Sequence, residues 1–222
     1  MKSWRSVGVG ALVSAAVLGF SSGQAMAASK AHPFIYFATT DPFLQPGEAP
    51  TRNDVTLLGG PFARDTAGSA IHLFNVDYTK NYLVGVTYGR DVYNLGSGFQ
   101  LGGVVGVALR FGEDDDTSGE IWTGVRLRHQ GLVIGNVVIS PAFTAGFSAV
   151  TGETQIEKER ELRYNGDASF LGFLGPELSF RWGGAPNLEV TWQLHHRSGA
   201  GETFGNMGEG SNANTIGIRY RF

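Results

Sequence analysis

The stretch from Asn187 to Gly199 (NLEVTWQLHHRSG) holds the residues best suited to chemistry. Read as an alternating strand, it puts Leu188, Val190, Trp192, Leu194, His196 and Ser198 on one face. Glu189, Thr191, Gln193, His195 and Arg197 fall on the other. An apolar stripe therefore ends in an imidazole and a hydroxyl at i and i+2, a spacing of about 7 Å between Cα atoms. His196 has the form of a general base and Ser198 of the nucleophile it activates. The plainer alternative is a pair of interfacial residues whose polar ends meet lipid headgroups, and an arbitrary His-x-Ser favours it. Position argues for chemistry. Counting back by twos from Phe222 places Asn214 and Asn212 outward at the same end of the neighbouring strand. An Asn212 carbonyl accepting from the histidine N–H would hold the tautomer a base needs. Being uncharged, it would orient the ring more than activate it. The Gly199 and Ala200 backbone N–H groups, next in the chain, are candidate oxyanion donors.

Those residues need a strand frame. Ile216, Ile218, Tyr220 and Phe222 alternate with Thr215, Gly217, Arg219 and Arg221, as in the closing strand of an outer-membrane barrel. Eight segments carry strand patterns: 53–62, 81–93, 98–111, 119–129, 137–150, 168–182, 187–198 and 212–222. Phe99, Leu101, Val105, Val107, Leu109 and Phe111, for example, oppose Gln100, Gly102, Gly106, Ala108 and Arg110. A soluble sandwich would alternate too, with its polar face in water. Here the polar set includes Asp91, Arg110, Arg126, Arg128, Glu177, Arg181, Glu189, Arg219 and Arg221. The expected fold is all-β, an eight-stranded antiparallel transmembrane β-barrel whose charged interior pairs into a plug. The connections 63–80, 112–118, 151–167 and 199–211 fall at one end. Three of them are long and suit external loops, whereas 94–97, 130–136 and 183–186 suit short periplasmic turns. A lipocalin-like soluble barrel leaves the aromatic closing strand unexplained.

Lys2 and Arg5 precede an uncharged apolar run from Val7 to Phe20, and Ala25-Met26-Ala27 gives a small-x-small cleavage pattern. Residues 1–27 read as a signal peptide, the run being short of the ~20 residues of a spanning helix. Residues 28–52, with Pro33, Pro42, Pro46 and Pro50, read as an extended N-terminal arm whose Phe34 to Phe37 patch is a short strand or a plug. The barrel takes 53–222. The chain carries 17 Lys plus Arg against 20 Asp plus Glu, a balance without the basic footprint of a nucleic-acid binder. Cysteine is absent, which removes thiolate nucleophiles and Cys-ligated metals.

The layout and the stretches His196-Arg197-Ser198-Gly199, Gly210-Ser211-Asn212 and Arg219-Tyr220-Arg221-Phe222 resemble the outer-membrane lipid A deacylase family. That resemblance implies an esterase removing the 3-O-linked acyl chain of lipid A, with a Ser-His-Glu triad on the barrel's outer surface and no cofactor. It maps the nucleophile to Ser198 and the base to His196. The family's Glu position falls on Asn212, with Glu209 and Glu202 as flanking alternatives, and Gly199 stands where the family usually has Asn. The implied partners are lipid A or lipopolysaccharide of the outer leaflet, the membrane itself, and the barrel assembly machinery through the C-terminal strand. The alternative is a non-catalytic outer-membrane barrel with an envelope structural or lipopolysaccharide-binding role. The acidic run Glu113 to Asp116 reads as a solvated loop in preference to a divalent-cation site, because EF-hand spacing is missing.

Overall fold

Period-two patterning becomes a closed sheet in the structure, a computed structural model that describes residues 34–113 and 115–222. The expected signal peptide and the first residues of the arm lie outside the described residues. In chain order the strands are β1 (Ile35–Phe37), β2 (Asn53–Ala63), β3 (Tyr78–Gly96), β4 (Phe99–Gly112), β5 (Ser118–His129), β6 (Leu132–Ile134), β7 (Val137–Val150), β8 (Phe170–Trp182), β9 (Leu188–Ser198) and β10 (Asn212–Arg221). Helices α1 (Ala67–Ala70) and α2 (Gln155–Tyr164) lie in two of the connections. The eight long strands pair antiparallel with their neighbours, and β10 returns to β2, closing an eight-stranded barrel. Closure leaves no unpaired edge, which is what lets a sheet stand in lipid.

Outward side chains such as Val84, Val86, Leu109, Val125, Phe143, Ile216 and Ile218 are exposed and form an apolar band around the barrel. Aromatic residues rim it: Tyr93, Phe99, Trp182, Tyr220 and Phe222 near the short turns, Tyr82, Phe111, Phe147 and Phe170 near the long connections. Inside, charge is answered by charge, as burial without water requires. Arg219 holds Glu177 through two bonds of 2.7 Å and reaches Glu189 at 3.2 Å and Thr56 at 2.9 Å. Arg126 joins Asp54, at 3.0 and 2.5 Å, to Asp91 at 3.0 Å. A second cluster near the long connections contains Arg110, Glu120, His195, Arg197 and Glu157 of α2. Asp54 of the first cluster and Glu120 of the second have the inward parity of their strands and join the set expected from sequence.

Three features depart from the sequence expectation. The β3–β4 hairpin is longer than 81–93 and 98–111 suggest, because Ser97 and Gly98 turn the chain tightly at φ of 49° and 86°. The segment 130–136 contains β6, which continues β5 past a kink at Gly131 (φ 106°) and pairs with β7. The arm then adds β1 to β6, and Asp41 enters the barrel mouth to bond Arg181 at 2.8 and 2.9 Å and Arg221 at 3.3 Å. Arg181 also lies 5.0 Å over the Phe43 ring. Burial alone would raise the Asp41 pKa, but the Arg181 guanidinium outweighs it and holds the carboxyl below its ordinary value.

Candidate active site

Strand register brings the predicted residues into one outward row. Ala63 of β2 faces Asn212 of β10, Asn212 faces His196 of β9, and His196 faces Leu174 of β8. Ser198 lies opposite Gly172, one step nearer the long connections. His196 Nδ1 donates to Asn212 Oδ1 at 2.6 Å. The Asn212 amide is itself held, because Nδ2 donates to the Asp65 carbonyl at 2.8 Å. That second bond decides the chemistry of the first. With its N–H₂ committed to a carbonyl, Asn212 can offer only oxygen to the ring, so Nδ1 carries the proton and Nε2 keeps its lone pair. The Ser198 hydroxyl makes no hydrogen bond among the described residues, His196 included. Bonds between a nucleophile and its base are often long without substrate and tighten in the complex.

Neither His196 nor Ser198 is open to lipid as strand parity alone suggests; they are 7% and 8% exposed. The connection carrying α1 folds down over this face. Ala63, Ala70 and Leu194 cluster there with Val76 and Trp192, because Asn214 fastens the connection. Asn214 Nδ2 donates to the Ala70 carbonyl at 2.8 Å and the Tyr78 hydroxyl at 3.0 Å, while Trp192 Nε1 donates to Asn214 Oδ1 at 3.1 Å. Asn214 is thus a fastener, separate from the His196 pair.

The chain after Ser198 turns through left-handed backbone at Ala200, Gly201 and Glu202, with φ of 49°, 68° and 67°. For the two residues with a Cβ, this costs roughly 1–2 kcal/mol each. The Gly199 and Ala200 N–H groups have no hydrogen-bond partner among the described residues. Gly199 packs so closely on the Met207 carbonyl that any Cβ there would overlap it. This loop conformation excludes an asparagine at position 199. Of the flanking acids, Glu209 accepts from the Ala67 N–H at 3.3 Å and pairs with Arg160 at 3.4 Å, and Glu202 is exposed on the loop. Neither touches His196. Among the described residues, Asn212 is the side chain hydrogen-bonded to the His196 ring.

Behind the row, on the inward face, Glu157 binds Arg197, Arg110 and the Ser211 hydroxyl, the last at 2.8 Å. Arg197 and Ser211 flank Ser198 and Asn212 in sequence, so the clamp fixes both strand ends. Burial would raise the Glu157 pKa, yet Arg197 and Arg110 keep it below its ordinary value. His195 is fully buried against Trp122 and Phe173, with Nε2 at 2.7 Å from Glu120. Sequence reasoning missed Glu157 and the Asp65 carbonyl. The first was signalled by Thr154-x-x-Glu157, the capping box that starts α2. In the acidic run, Asp115 accepts from the Gln155 N–H at 2.5 Å and Asn81 at 2.6 Å, and Glu113 pairs with Lys80 at 2.6 Å. Protein donors occupy these carboxylates.

The closed barrel and its apolar band have the fold of outer-membrane β-barrels. Similar solved structures include the crystal structure of the outer-membrane enzyme PagL, at 12% identity and a TM-score of 0.52, covering 76% of this chain and 99% of that one. A de novo designed transmembrane β-barrel aligns at 14% identity and a TM-score of 0.47, over 79% of this chain and 98% of that one. Ail, the attachment invasion locus protein of Yersinia pestis, aligns at 11% identity and a TM-score of 0.38, over 78% of this chain and all (100%) of that one. No protein-family model and no curated protein sequence matches the chain.

Proposed function

We propose that this chain is an outer-membrane esterase that removes the 3-O-linked acyl chain of lipid A. The observation that carries the reading is the 2.6 Å bond from His196 Nδ1 to Asn212 Oδ1 on the barrel's outward face, two residues from Ser198. Ser198 Oγ attacks the ester carbonyl while His196 Nε2 takes its proton. The Gly199 and Ala200 N–H groups receive the negative charge that develops on the carbonyl oxygen. Collapse expels the sugar 3-hydroxyl with the proton from His196, and water then frees the fatty acid from Ser198 by the same route. An aspartate-to-asparagine change in a serine-protease triad costs about 10⁴ in turnover, because the amide imposes the wrong tautomer. Here the Asp65 carbonyl removes that defect, and only the stabilising charge on the imidazolium is lost. Overlap with a solved outer-membrane enzyme supports the fold part of the reading.

A second reading, a non-catalytic barrel with an envelope structural or lipopolysaccharide-binding role, is favoured by the lack of a carboxylate hydrogen-bonded to His196 among the described residues. Mass spectrometry of lipid A from cells with and without the protein separates the two. The enzyme reading expects a species lighter by one 3-linked acyl chain, lost again with Ser198→Ala or His196→Ala. Identical lipid A with and without wild-type protein refutes it.

A further inference from the structure

Beside the row of Ala63, Asn212 and His196 lies a cleft of about 460 Å³, walled by the connection after β2, by α2 and by the segment before β10. Arg64, Arg160, Arg163 and Tyr164 line it with Glu159 and Glu209. Gly208 lets the Tyr164 ring close one side, since a Cβ there would sit 2.7–2.8 Å from the phenol.

The charges in this cleft are not all spent. Arg160 is committed to the fold: it donates to the carbonyls of Gly210 at 2.7 Å, Arg64 at 3.0 Å and Asp65 at 3.4 Å, and it pairs with Glu209. Glu159 accepts from Gln155 Nε2 at 3.3 Å. The guanidiniums of Arg64 and Arg163 make no hydrogen bond or ion pair among the described residues, and both are exposed to the cleft mouth. Two uncommitted guanidiniums in one recess make a site for an anion with several acceptor oxygens, which they can grip in pairs. The cleft also joins the candidate active site. The Asp65 carbonyl that fixes the Asn212 amide accepts from Arg160 as well. An amphiphile with an acyl ester at Ser198 would run its chains along the apolar band, and its polar head would lie toward this cleft.

We propose that Arg64 and Arg163 form a subsite for a phosphate ester on the headgroup of the glycolipid whose acyl ester is presented to Ser198. The source of that phosphate rests on the outer-leaflet reading above; the binding itself does not rest on turnover. Full-length protein in detergent, carrying Ser198→Ala to prevent hydrolysis, is titrated calorimetrically with mixed micelles of bisphosphorylated lipid A and of phosphate-free lipid A. The expected result is tighter binding of the phosphorylated lipid, lost by about tenfold or more in Arg64→Gln/Arg163→Gln. The phosphate-free lipid should bind that variant and its parent alike, and heat-modifiable gel mobility checks that both are folded. Raising salt should weaken only the phosphorylated complex. Equal affinity for the two lipids, or an unchanged double variant, overturns the subsite. Orthophosphate binding as tightly as the lipid overturns the headgroup assignment. Phosphate-dependent binding by a wild-type protein that releases no fatty acid retains the subsite and removes the esterase.

Discussion

At the scale of single residues, Asn212 is the position on which the proposed esterase reading separates turnover from orientation. Asn212→Ala deletes the acceptor for His196 Nδ1 and leaves the Asp65 carbonyl with Arg160 as its donor. Turnover should fall by about 10- to 100-fold, with Ser198→Ala and His196→Ala falling further because the pair acts as a unit. Release of free fatty acid from lipid A by the purified variants in detergent checks this ranking, and unchanged turnover in Asn212→Ala would deny Asn212 an orienting role. Asn212→Asp is the informative neighbour: it supplies charge to the ring but sets a carboxylate oxygen against the Asp65 carbonyl. His195→Ala is no neutral control despite its inward parity, since it empties a buried site and leaves Glu120 with Ser148 as its remaining hydrogen-bond donor. Asn212 was legible in the sequence because parity counted from Phe222 is rigid along an unbroken strand. The burial of His196 was not, because it depends on where the connection after β2 folds, and no periodicity encodes that.

At the scale of elements, all eight barrel strands were legible within a few residues, because lipid outside and charge inside impose strict alternation. The helices were not. Gln155 to Tyr164 reads QIEKERELRY, almost wholly polar, so α2 has no apolar stripe to betray it. Its buried anchors are a single aliphatic residue, Ile156, and a carboxylate, Glu157. The arm shows the same logic: an aspartate docks it. Asp41→Asn should cost about 2 kcal/mol of arm docking, since Arg181 would keep a buried charge with a weaker partner. The sign with pH follows from the lowered Asp41 pKa. Its contribution is complete above the usual carboxylate range and is lost as pH falls through the depressed value. Limited proteolysis of the arm should therefore be fast for Asp41→Asn at neutral pH, and for wild type only in strong acid. Equal cleavage of both at neutral pH would show that the arm is held by β1 alone.

At the scale of the whole molecule, the interior ion pairs decide what the barrel cannot be. Arg126, Arg219, Glu177, Glu189 and their partners fill the lumen, so planar-bilayer recording should show no steady porin-like conductance. A stable large conductance would mean that these pairs do not persist in lipid. Fractionation with outer membranes and faster migration unheated than boiled are the matching expectations for location and closure. The arm carries a further consequence, one of order in time. It precedes every barrel strand in the chain, yet Asp41 finds its partners on β8 and β10, the sixth and last strands of the wall. Until β10 has met β2 the arm has only part of its dock. Resistance of the 38–52 segment to a protease added during refolding would thus time the sealing of the barrel, lagging every earlier hairpin.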